Sequence, residues 1–586
     1  MQSSVVALAA CACQLALLAI TRAGRRPLVP LLGHAVVAAA SIGALLGGDP
    51  TRPAVALAYA GGFATLLLHA EWSRRTQWDV VVLALVVAGL SAMSIVYVGS
   101  LDVWPEAAAL FPAVSAIAIA CGAAAFALLA LRPRAPRALR ERAGIVLDVV
   151  AHGAAAMALL NILFLAFSLV SGWSLKLLFA ILFAWQIMVI TIEYRTVRHA
   201  ERRRKRPAAP WVQRRHTERV TVIVPAANEA AVFPESLERN LAVPYPLTFI
   251  LVPATKSTDA TVALAHEYAR RFPDRVRVVE GSSGSKADDL NVAWRAVDTR
   301  YVLLLDADET IDATSLERAT EILRTDPSVG VVQGRKVSRA PEDGPLARFV
   351  SAERRYSTWM DQVHHGEALG SSHFGGSAAL LRREVPPSVG GWTDRTMTED
   401  IEFTLRLHLD DTWKIAYCPE MVVRECDPAN LSELLRQRTR WARGWAQCFH
   451  LYFGDVVRER RRLGAGRAFG LILLLLISIS ALWTTFVPAT ILMRIAGVSP
   501  LMPVLVALPL TLVLLPSRLL AYGYAAFRDP VIPVRPSARR IAELALHAYL
   551  WIIFGWFVQL HALYLELSAA PRVWYVTAKR GRARSA

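Results

Sequence analysis

Hydrophobic and polar positions divide the chain into three kinds of segment. Residues 1 to about 193 are a succession of apolar stretches, each about long enough to cross the hydrocarbon core of a bilayer. From about 217 to 425, short apolar runs alternate with helical stretches. After about 426 the chain is first amphipathic and rich in arginine, and then apolar again near 469–492, 499–516 and 541–565. The pattern predicts a folded α/β domain between two sets of membrane helices.

The N-terminal region is predicted to cross the membrane seven times. Loops with several Lys and Arg residues alternate with loops that are almost free of them, and this alternation fits one topology with the N-terminus outside. Polar residues within the stretches, such as His152 and Gln186, are expected to hydrogen-bond between helices rather than to line a path for lipid or product. The apolar stretches lie near 4–20, 28–47, 54–70, 80–98, 107–131, 149–170 and 174–193.

The central region has the rhythm of βαβ units. Its apolar runs are four or five residues long, which suits buried strands, and amphipathic helical stretches such as 258–271 and 286–297 separate the early ones. We therefore expect a mostly parallel sheet with helices on both faces. The predicted strands are 220–224, 248–252, 276–279, 301–305 and 329–332.

The most informative stretch is the fourth strand together with the three residues directly after it. The apolar run 301–305 ends abruptly in Asp306-Ala307-Asp308, at the end of a buried strand, where open α/β sheets bind ligands. Carboxylates suit Mg²⁺ or Mn²⁺, which usually bind substrate phosphates at the same time. Taken alone, however, the same three residues also fit a turn that caps a helix.

Further polar groups follow the other strands of the central region. Each fits a donor-binding role, and Lys286 in particular is a candidate to neutralise a diphosphate. Each also fits a turn, a helix cap or a solvated face when considered by itself. The candidates are Asn228 and Glu229 after the first strand, Asp259 after the second, and Lys286 and Asn291 before the fourth.

Three more motifs complete the candidate chemistry. The paired glycines of Phe374-Gly375-Gly376-Ser377 allow a close approach of backbone to a ligand. An acidic residue of Thr398-Glu399-Asp400 can act as a general base, although Thr398 could equally cap a helix that begins there. In the stretch 437–441 (QRTRW), arginine offers a planar fork to a diphosphate and tryptophan a flat face to a sugar ring; a solvated basic helix is the alternative.

Composition supports a membrane protein and not a nucleic-acid-binding one. Of the 586 residues, 54% are hydrophobic, and the net charge is +17. The basic residues cluster beside the ends of apolar stretches, where they would face anionic lipid headgroups. The six cysteines have no zinc or redox spacing and are expected to be reduced thiols.

Taken together, the motifs KADDLN, DAD, GGSA, TED and QRTRW resemble those of the membrane-integrated family 2 glycosyltransferases, the group of cellulose, hyaluronan, chitin and poly-N-acetylglucosamine synthases. The resemblance covers about residues 217–450. It implies a GT-A fold, a nucleotide-sugar donor and a Mg²⁺ or Mn²⁺ cofactor. It also implies that Asp306 and Asp308 hold the metal and the donor diphosphate. Asp400 is then the catalytic base beside Glu399, and Gln437, Arg440 and Trp441 bind acceptor and diphosphate, together with the loop from Phe374 to Ser377.

Two features modify that resemblance. The tail residues Trp574, Thr577 and Lys579 are similar to the gating-loop motif of cellulose synthases, which has Phe in place of the tryptophan. At the end of the second strand, where the family usually has paired aspartates that contact the base, this chain has Ala254 and Thr255. Recognition of uracil is therefore not implied, and both UDP- and GDP-sugars are candidate donors.

The expected function is an inverting transfer of sugar to a growing polysaccharide, with secretion through the membrane. Transfer to a membrane lipid, and a transporter or scaffold with an inactive domain, are the alternatives. The expected location is the inner membrane with a cytoplasmic catalytic domain; the stretch 541–565 either crosses the membrane or lies at its surface. The predicted segments are an N-terminal membrane domain (1–193), a basic linker (194–216), a GT-A domain (217–425), amphipathic interface helices with QRTRW (426–467), C-terminal transmembrane and interfacial helices (468–570) and a cytoplasmic tail (571–586).

Overall fold

A mixed sheet of eight strands is the centre of the larger of two compact units. The structure is a computed structural model that describes residues 144–153, 156, 172–205, 218–281, 285–484, 515–573 and 577–579. The unit with the sheet comprises residues 190–480, 515–555 and 570–586. The other unit comprises residues 1–189, 481–514 and 556–569.

The sheet has the strand order β3-β2-β1-β4-β7-β6-β8-β5. Strands β3, β2, β1 and β4 are parallel, β7 is antiparallel to both of its neighbours, β6 and β8 are parallel, and β5 is antiparallel to β8. The strands are β1 (Val220–Ala226), β2 (Leu247–Pro253), β3 (Val276–Val278), β4 (Tyr301–Leu304), β5 (Thr310–Ile311), β6 (Val329–Ser338), β7 (Ala379–Arg382) and β8 (Lys414–Glu425).

Both faces of the central strands are buried, and each face belongs to a different hydrophobic core. In β4, Tyr301 and Leu303 pack into one core, whereas Val302 and Leu304 pack into the other. This alternation follows from the two-residue period of a strand. It explains why the run is apolar at every position, as expected for a strand covered on both sides.

The sequence predicts five of these strands near their observed positions, but the sheet is mixed rather than mostly parallel. Strand β7 is antiparallel and separates β4 from β6. Its four residues follow a loop of glycine and serine, and β8 is interrupted by Pro419 and Glu420. The short apolar run of β7 does not follow a helical stretch of a βαβ unit, and β8 lacks a continuous apolar pattern, so neither strand is among those predicted.

Helices surround the sheet and continue beyond it. The helical chain widens into π turns at Arg355–Asp361 and His365–Leu369, on either side of the short helix Gln362–His364. The helices are α1 (Gly144–Gly153), α2 (Gly172–Lys205), α3 (Phe233–Leu241), α4 (Thr261–Arg271), α5 (Lys286–Arg295), α6 (Ala313–Thr325), α7 (Gly344–Arg354), α8 (Gln362–His364), α9 (Val385–Ser388), α10 (Glu399–Asp410), α11 (Leu431–Arg458), α12 (Arg460–Leu463), α13 (Ala465–Ile477), α14 (Ala481–Thr484), α15 (Leu515–Phe527) and α16 (Ala538–Leu567).

Among the described residues, one helix, α16, is long and apolar enough to cross a membrane. It contains the stretch 541–565 whose placement the sequence leaves open. Helices α1 and α13 are apolar but shorter. Most of the seven predicted N-terminal crossings, and most of the apolar stretch 499–516, lie outside the described residues.

In the smaller unit the prediction of helix-to-helix hydrogen bonds holds for His152, whereas the buried amide of Gln186 has no hydrogen-bond partner among the described residues. The Nδ1 atoms of His152 and His561 lie 2.8 Å apart, and the ring of His152 stacks on that of Tyr564. The backbone N–H of Ala481 donates to Gln559 Oε1 at 2.9 Å. These hydrogen bonds pair polar groups whose burial among apolar side chains would be costly without a partner.

A fully buried ion pair ties β6 to the chain that follows α15. Arg335 and Asp529 are paired with both side chains fully buried, and Arg355 Nε lies 3.9 Å from the same carboxylate. Asp529 also accepts from the backbone N–H groups of Val531 and Ile532. The Asp529 carboxylate therefore offsets the charge of two buried guanidinium groups and also accepts the hydrogen bonds that hold the turn of its own loop.

Asp529→Asn should lower stability by about 3–5 kcal/mol, because it leaves two buried positive charges without their counter-ion. The exposed pair of Asp455 and Arg458 provides the control, since Asp455→Asn should cost no more than about 0.5 kcal/mol. Thermal unfolding of both purified variants in the same detergent would compare them. Equal unfolding temperatures would show that the buried pair is not structurally important.

Candidate active site

The polar side chains singled out in the sequence meet where the neighbouring strands β1 and β4 end. The strand order reverses between these two strands, and such a switch point is where open α/β sheets bind ligands. The loop after β4, the start of α5, the loop before β7 and the start of α10 all contribute. The side chains gathered there include Glu229, Lys286, Asp306, Asp308, Ser377, Glu399 and Asp400.

Asp306 lies between two ammonium groups. Lys286 Nζ is 2.8 Å from its Oδ1 atom, Lys336 Nζ is 3.9 Å from Oδ2, and the Ser377 hydroxyl donates to Oδ2 at 2.9 Å. Burial opposes ionisation of Asp306, but the charges of Lys286, Lys336 and Lys579 outweigh it and lower the pKa of this carboxyl group. Asp306 is therefore a carboxylate at neutral pH.

Asp308 is fully buried and contacts the C-terminal tail. Its Oδ2 atom accepts from the backbone N–H of Cys426 at 2.8 Å, and its Oδ1 atom forms an ion pair with Lys579. Lys579 Nζ also lies 3.8 Å from Glu229 Oε1. Burial raises the pKa of Glu229 to about 7. One lysine of the tail thus contacts carboxylates from the loops that follow both β1 and β4.

Backbone contacts hold the tail at this position. The carbonyl of Ala578 accepts from the N–H of Ala429 at 3.0 Å, and the N–H of Ala578 donates to Glu433 Oε2 at 3.0 Å. Thr577 is buried, and Lys579 forms a β-bridge with Pro428. Trp574, the first residue of the predicted gating motif, lies outside the described residues.

Sequence reasoning missed two residues of this network, Glu309 and Lys336. Glu309 Oε2 accepts from the backbone N–H of Asp306 at 2.9 Å, and Glu309 Oε1 lies 3.1 Å from Lys336 Nζ. Burial raises the pKa of Glu309 to about 7. A signal was present for Glu309, which directly follows the two aspartates, whereas Lys336 lies beyond the predicted strand 329–332 and had no such signal.

Two lysines also fix the glycine loop before β7. Lys336 donates to the carbonyl of Gly375 and Lys286 to that of Gly376, both at 3.2 Å. Gly376 has φ +77°, and a Cβ atom there would lie 3.0 Å from Asp400 Oδ2. The positive φ favours glycine at this position, and a side chain there would press on the Asp400 carboxylate. The loop can therefore bring its backbone directly against the candidate base, while the preceding Phe374 is fully buried in the core.

Glu399 and Asp400 form the first turn of α10. Burial raises the pKa of both carboxyl groups, and the charges of Lys286 and Arg440 oppose that rise. Lys286 Nζ lies 3.9 Å from Glu399 Oε1. Thr398 occupies the N-cap position, but its side chain makes no capping hydrogen bond. The capping alternative therefore does not account for this motif.

The QRTRW motif lies on α11. Arg440 donates to the carbonyl of Met397, just before the candidate base. The Cζ atom of Arg438 lies 4.1 Å from the centroid of the Trp441 ring. Gln437 is half-buried. The stretch is thus packed against other parts of the protein, with Arg440 beside the candidate base, and is not a solvated basic helix.

Three predicted donor-binding side chains hold loops together. Asn228 has φ +51° and its Oδ1 atom accepts from the backbone N–H of Thr258 at 2.7 Å. Asp259 accepts from the N–H groups of Ala230 and Thr261, which joins the loops after β1 and β2. Asn291 bonds through both amide atoms to the backbone of Trp392 and supports the loop before α10.

The carboxylates offer oxygen ligands but not a complete metal site. No group of three His, Cys, Asp or Glu side chains in the described part of the chain is arranged to hold a metal ion. Mg²⁺ usually needs only one or two carboxylates when substrate phosphates and waters supply the other ligands. Asp306 and Asp308 fit such a shared site, in which Lys286 and Lys579 would have to give up a carboxylate oxygen.

Residues 217–444 match the family model described as "Glycosyltransferase like family 2". This segment is a family 2-like glycosyltransferase domain. The segment has a GT-A-like fold, which is built on a mixed sheet with the candidate site at the ends of β1 and β4. The motifs imply the same fold.

The relatives of this glycosyltransferase domain act on different acceptors. A beta-monoglucosyldiacylglycerol synthase of Nostoc sp. is 28% identical over 247 residues, which are 41% of this chain and 52% of that enzyme. Glucomannan 4-beta-mannosyltransferase 2 of Arabidopsis thaliana is 25% identical over 383 residues, 63% of this chain and 68% of that enzyme. The chain thus spans about half the length of the lipid synthase it matches.

Among solved structures, the chain is similar to the mannosyltransferase PcManGT from Pyrobaculum calidifontis in complex with GDP-Man and Mn²⁺. The TM-score is 0.43 and the sequence identity is 24%. The alignment covers 64% of this chain and 99% of that one.

Proposed function

We propose that this chain is an inverting glycosyltransferase that adds sugar from a nucleotide-sugar donor to a growing polysaccharide at the cytoplasmic face of the inner membrane. One observation carries the proposal: the half-buried Asp400 carboxylate lies against Gly376, in a loop that Lys286 ties to Asp306. A candidate base and a candidate diphosphate site are thereby held on either side of one glycine loop.

The chemistry is a single displacement. Asp400 accepts the proton of an acceptor hydroxyl as that oxygen forms a bond to the anomeric carbon of the donor sugar. The bond from this carbon to the diphosphate breaks on the opposite face, and the nucleoside diphosphate leaves with the electron pair. Lys286 offsets its charge. Most of the rate acceleration comes from positioning and from charge stabilisation.

The remaining residues have roles in binding. Asp306 and Asp308 would hold Mg²⁺ or Mn²⁺, which supplies positive charge to the diphosphate. Glu229 contributes to the donor side, and Asn228, Asp259 and Asn291 shape it through the loops that they join. Gln437, Arg440 and Trp441 contribute to the acceptor side together with the glycine loop. Because Ala254 and Thr255 replace the usual aspartates, the donor is either a UDP- or a GDP-sugar.

The C-terminal tail favours the polysaccharide over the lipid as acceptor. Thr577 and Lys579 resemble part of a gating loop; Thr577 is buried, and Lys579 contacts Asp308 at the site. A tail that moves in and out at each cycle suits repeated addition to a polymer. The similarity to a synthase of monoglucosyldiacylglycerol supports the second candidate, transfer of sugar to a membrane lipid.

Lys579→Met should raise the affinity for Mn²⁺ about tenfold, because the lysine competes with the cation for Asp308, and removal of a competitor raises the competent fraction. The free Mn²⁺ signal in electron paramagnetic resonance would report binding independently of activity. Lys414→Met, at an exposed position in β8, is the matched control. Identical affinities in the three proteins would contradict competition by the tail.

Product analysis tests the proposed function. Purified protein in lipid, with Mn²⁺ or Mg²⁺, is given each radiolabelled UDP- and GDP-sugar, and the product is sized beside an Asp400→Asn control. High-molecular-weight product from one donor, absent in the control, would support a polysaccharide synthase. Label that extracts into organic solvent would favour the lipid acceptor. No transfer from any donor would reopen the alternative of an inactive domain in a transporter or scaffold.

A further inference from the structure

One face of α11, which begins within the QRTRW motif at Arg440 and continues past it, holds the segment that precedes the candidate base. Four residues of this helix contact residues 396–398: Arg440, Gly444, Gln447 and Cys448. Their spacing places them on one side of a helix with 3.6 residues per turn. Residues 396–398 lead directly into Glu399 and Asp400.

Both backbone polar groups of Met397 are bonded to this helix. Gln447 Oε1 accepts from the Met397 N–H at 2.8 Å, and Arg440 Nη1 donates to the Met397 carbonyl at 3.2 Å. Gln447 is only 6% exposed, so that water cannot readily replace this bond. Loss of the acceptor would leave a buried N–H group unsatisfied, which disfavours the observed backbone position.

Gly444 lets the helix approach the next residue very closely. A Cβ atom at this position would lie 2.4 Å from Thr398 Oγ1 and 2.7 Å from the Thr398 backbone nitrogen. The second of these distances involves backbone, which cannot turn away as a side-chain end can. Any larger residue must therefore move Thr398, and with it the first turn of α10.

We infer that Gly444 and Gln447 are positioning residues for Asp400. Together with Arg440 they fix the backbone of residues 397 and 398, and so set where the Asp400 carboxylate stands relative to the Gly375–Gly376 backbone. The inference rests on the proposed function for the role of Asp400 as base. The placement of the segment, by contrast, is a property of the fold and can be tested without any activity.

A positioning role predicts a loss in turnover that is separate from donor binding. The contacts of Lys286 and Asp306 do not involve residues 396–398, so the KM for the donor should stay near that of the wild type. Displacement of a reacting group by about 1 Å can cost about 100-fold in rate. A merely structural defect would instead lower the amount of folded enzyme and leave the kcat of the folded fraction unchanged.

Two glycines of the same helix provide a matched comparison. A Cβ atom at Gly454 would meet nothing within 4 Å, in contrast to one at Gly444. Gly444→Ala should lower kcat about 100-fold, whereas Gly454→Ala should leave it unchanged and gain slightly in helix stability. Equal kcat values for the two variants, at equal concentrations of folded enzyme, would overturn the inference for Gly444.

Two substitutions of Gln447 test the role of its acceptor oxygen: one removes this oxygen and the other keeps it. Gln447→Met keeps the length of the side chain and should lower kcat about tenfold, because the Met397 N–H loses its partner. Gln447→Glu keeps an oxygen at this position and should restore most of the turnover. A normal kcat in Gln447→Met, or no rescue by Gln447→Glu, would count against a positioning role.

Hydrogen–deuterium exchange of the full-length protein separates this inference from the proposed function. Amides in a peptide that covers 396–400 should exchange faster in Gln447→Met and Gly444→Ala than in the wild type and in Gly454→Ala. Unchanged exchange would overturn the inference even if the wild type is active. If the two variants exchange faster but the wild-type protein transfers no sugar, the contact of α11 with residues 396–398 would be supported and the proposed function would be rejected.

Discussion

Asp400→Asn should lower sugar transfer by about 10²–10⁴-fold, the usual contribution of a general base. The carboxylate lies against the Gly376 backbone, where an acceptor hydroxyl would approach, and an amide cannot take up its proton. Donor affinity should change little, because Lys286 and Asp306 keep their mutual contact at 2.8 Å. Initial rates and equilibrium binding of the donor would measure the two effects separately.

The pH dependence of the wild type provides a second test of Asp400. Burial raises the pKa of this carboxyl group, and the base acts only when it is deprotonated. Transfer should therefore decline on the acid side at a higher pH than for an exposed aspartate. Asp410→Asn, an exposed position on the same helix, should leave both the rate and this profile unaltered. Near-normal turnover in Asp400→Asn would show that another group is the base.

Asp306→Asn should lower transfer by about 10²–10³-fold and, unlike Asp400→Asn, should also weaken binding of donor and Mn²⁺. The substitution removes the negative charge that pairs with Lys286 and accepts from Ser377. Charge stabilisation at a leaving group of this kind usually accounts for a rate change of that size. Lys286 would then keep only the more distant carboxylate of Glu399, 3.9 Å away, as its counter-charge.

Donor and Mn²⁺ titrations of Asp306→Asn, beside rates, would measure this loss. Asp298→Asn is a suitable control, because Asp298 is exposed and its only described ion pair is a loose one of 3.8 Å with Arg277. Should Asp306→Asn bind donor and cation as the wild type does, the diphosphate site would have to lie elsewhere.

Hydrophobic periodicity was sufficient to predict the parallel half of the sheet. In strands such as Tyr301–Leu304 every position is apolar, because both faces pack into cores. Strands β7 and β8 could not be predicted in the same way. The run Ala379–Arg382 follows a loop of glycine and serine rather than a helical stretch, and Lys414–Glu425 contains a proline and several charges. Their place in the sheet depends on long-range pairing that no local pattern encodes.

The candidate site was predicted in part for similar reasons. Motifs indicated the residues that end strands or begin helices, since those positions lie at one edge of the sheet. Lys336 was missed because its role depends on the approach of β6 to Glu309 and Ser377. Likewise, nothing local in the sequence indicates that Asn291 bonds to Trp392, a residue 101 positions away.

Strand β6 carries a residue of the candidate site and a structural anchor at adjacent positions. Lys336 faces the carboxylates of Asp306 and Glu309, whereas Arg335 pairs with Asp529 in the protein interior. Because neighbouring side chains of a strand point to opposite faces, one inserted or deleted residue in this half of the strand would exchange the two. The ammonium group would then lie among the contacts of Asp529, and a guanidinium would enter the site. The length of the second half of β6 is therefore constrained by two different sets of contacts at once.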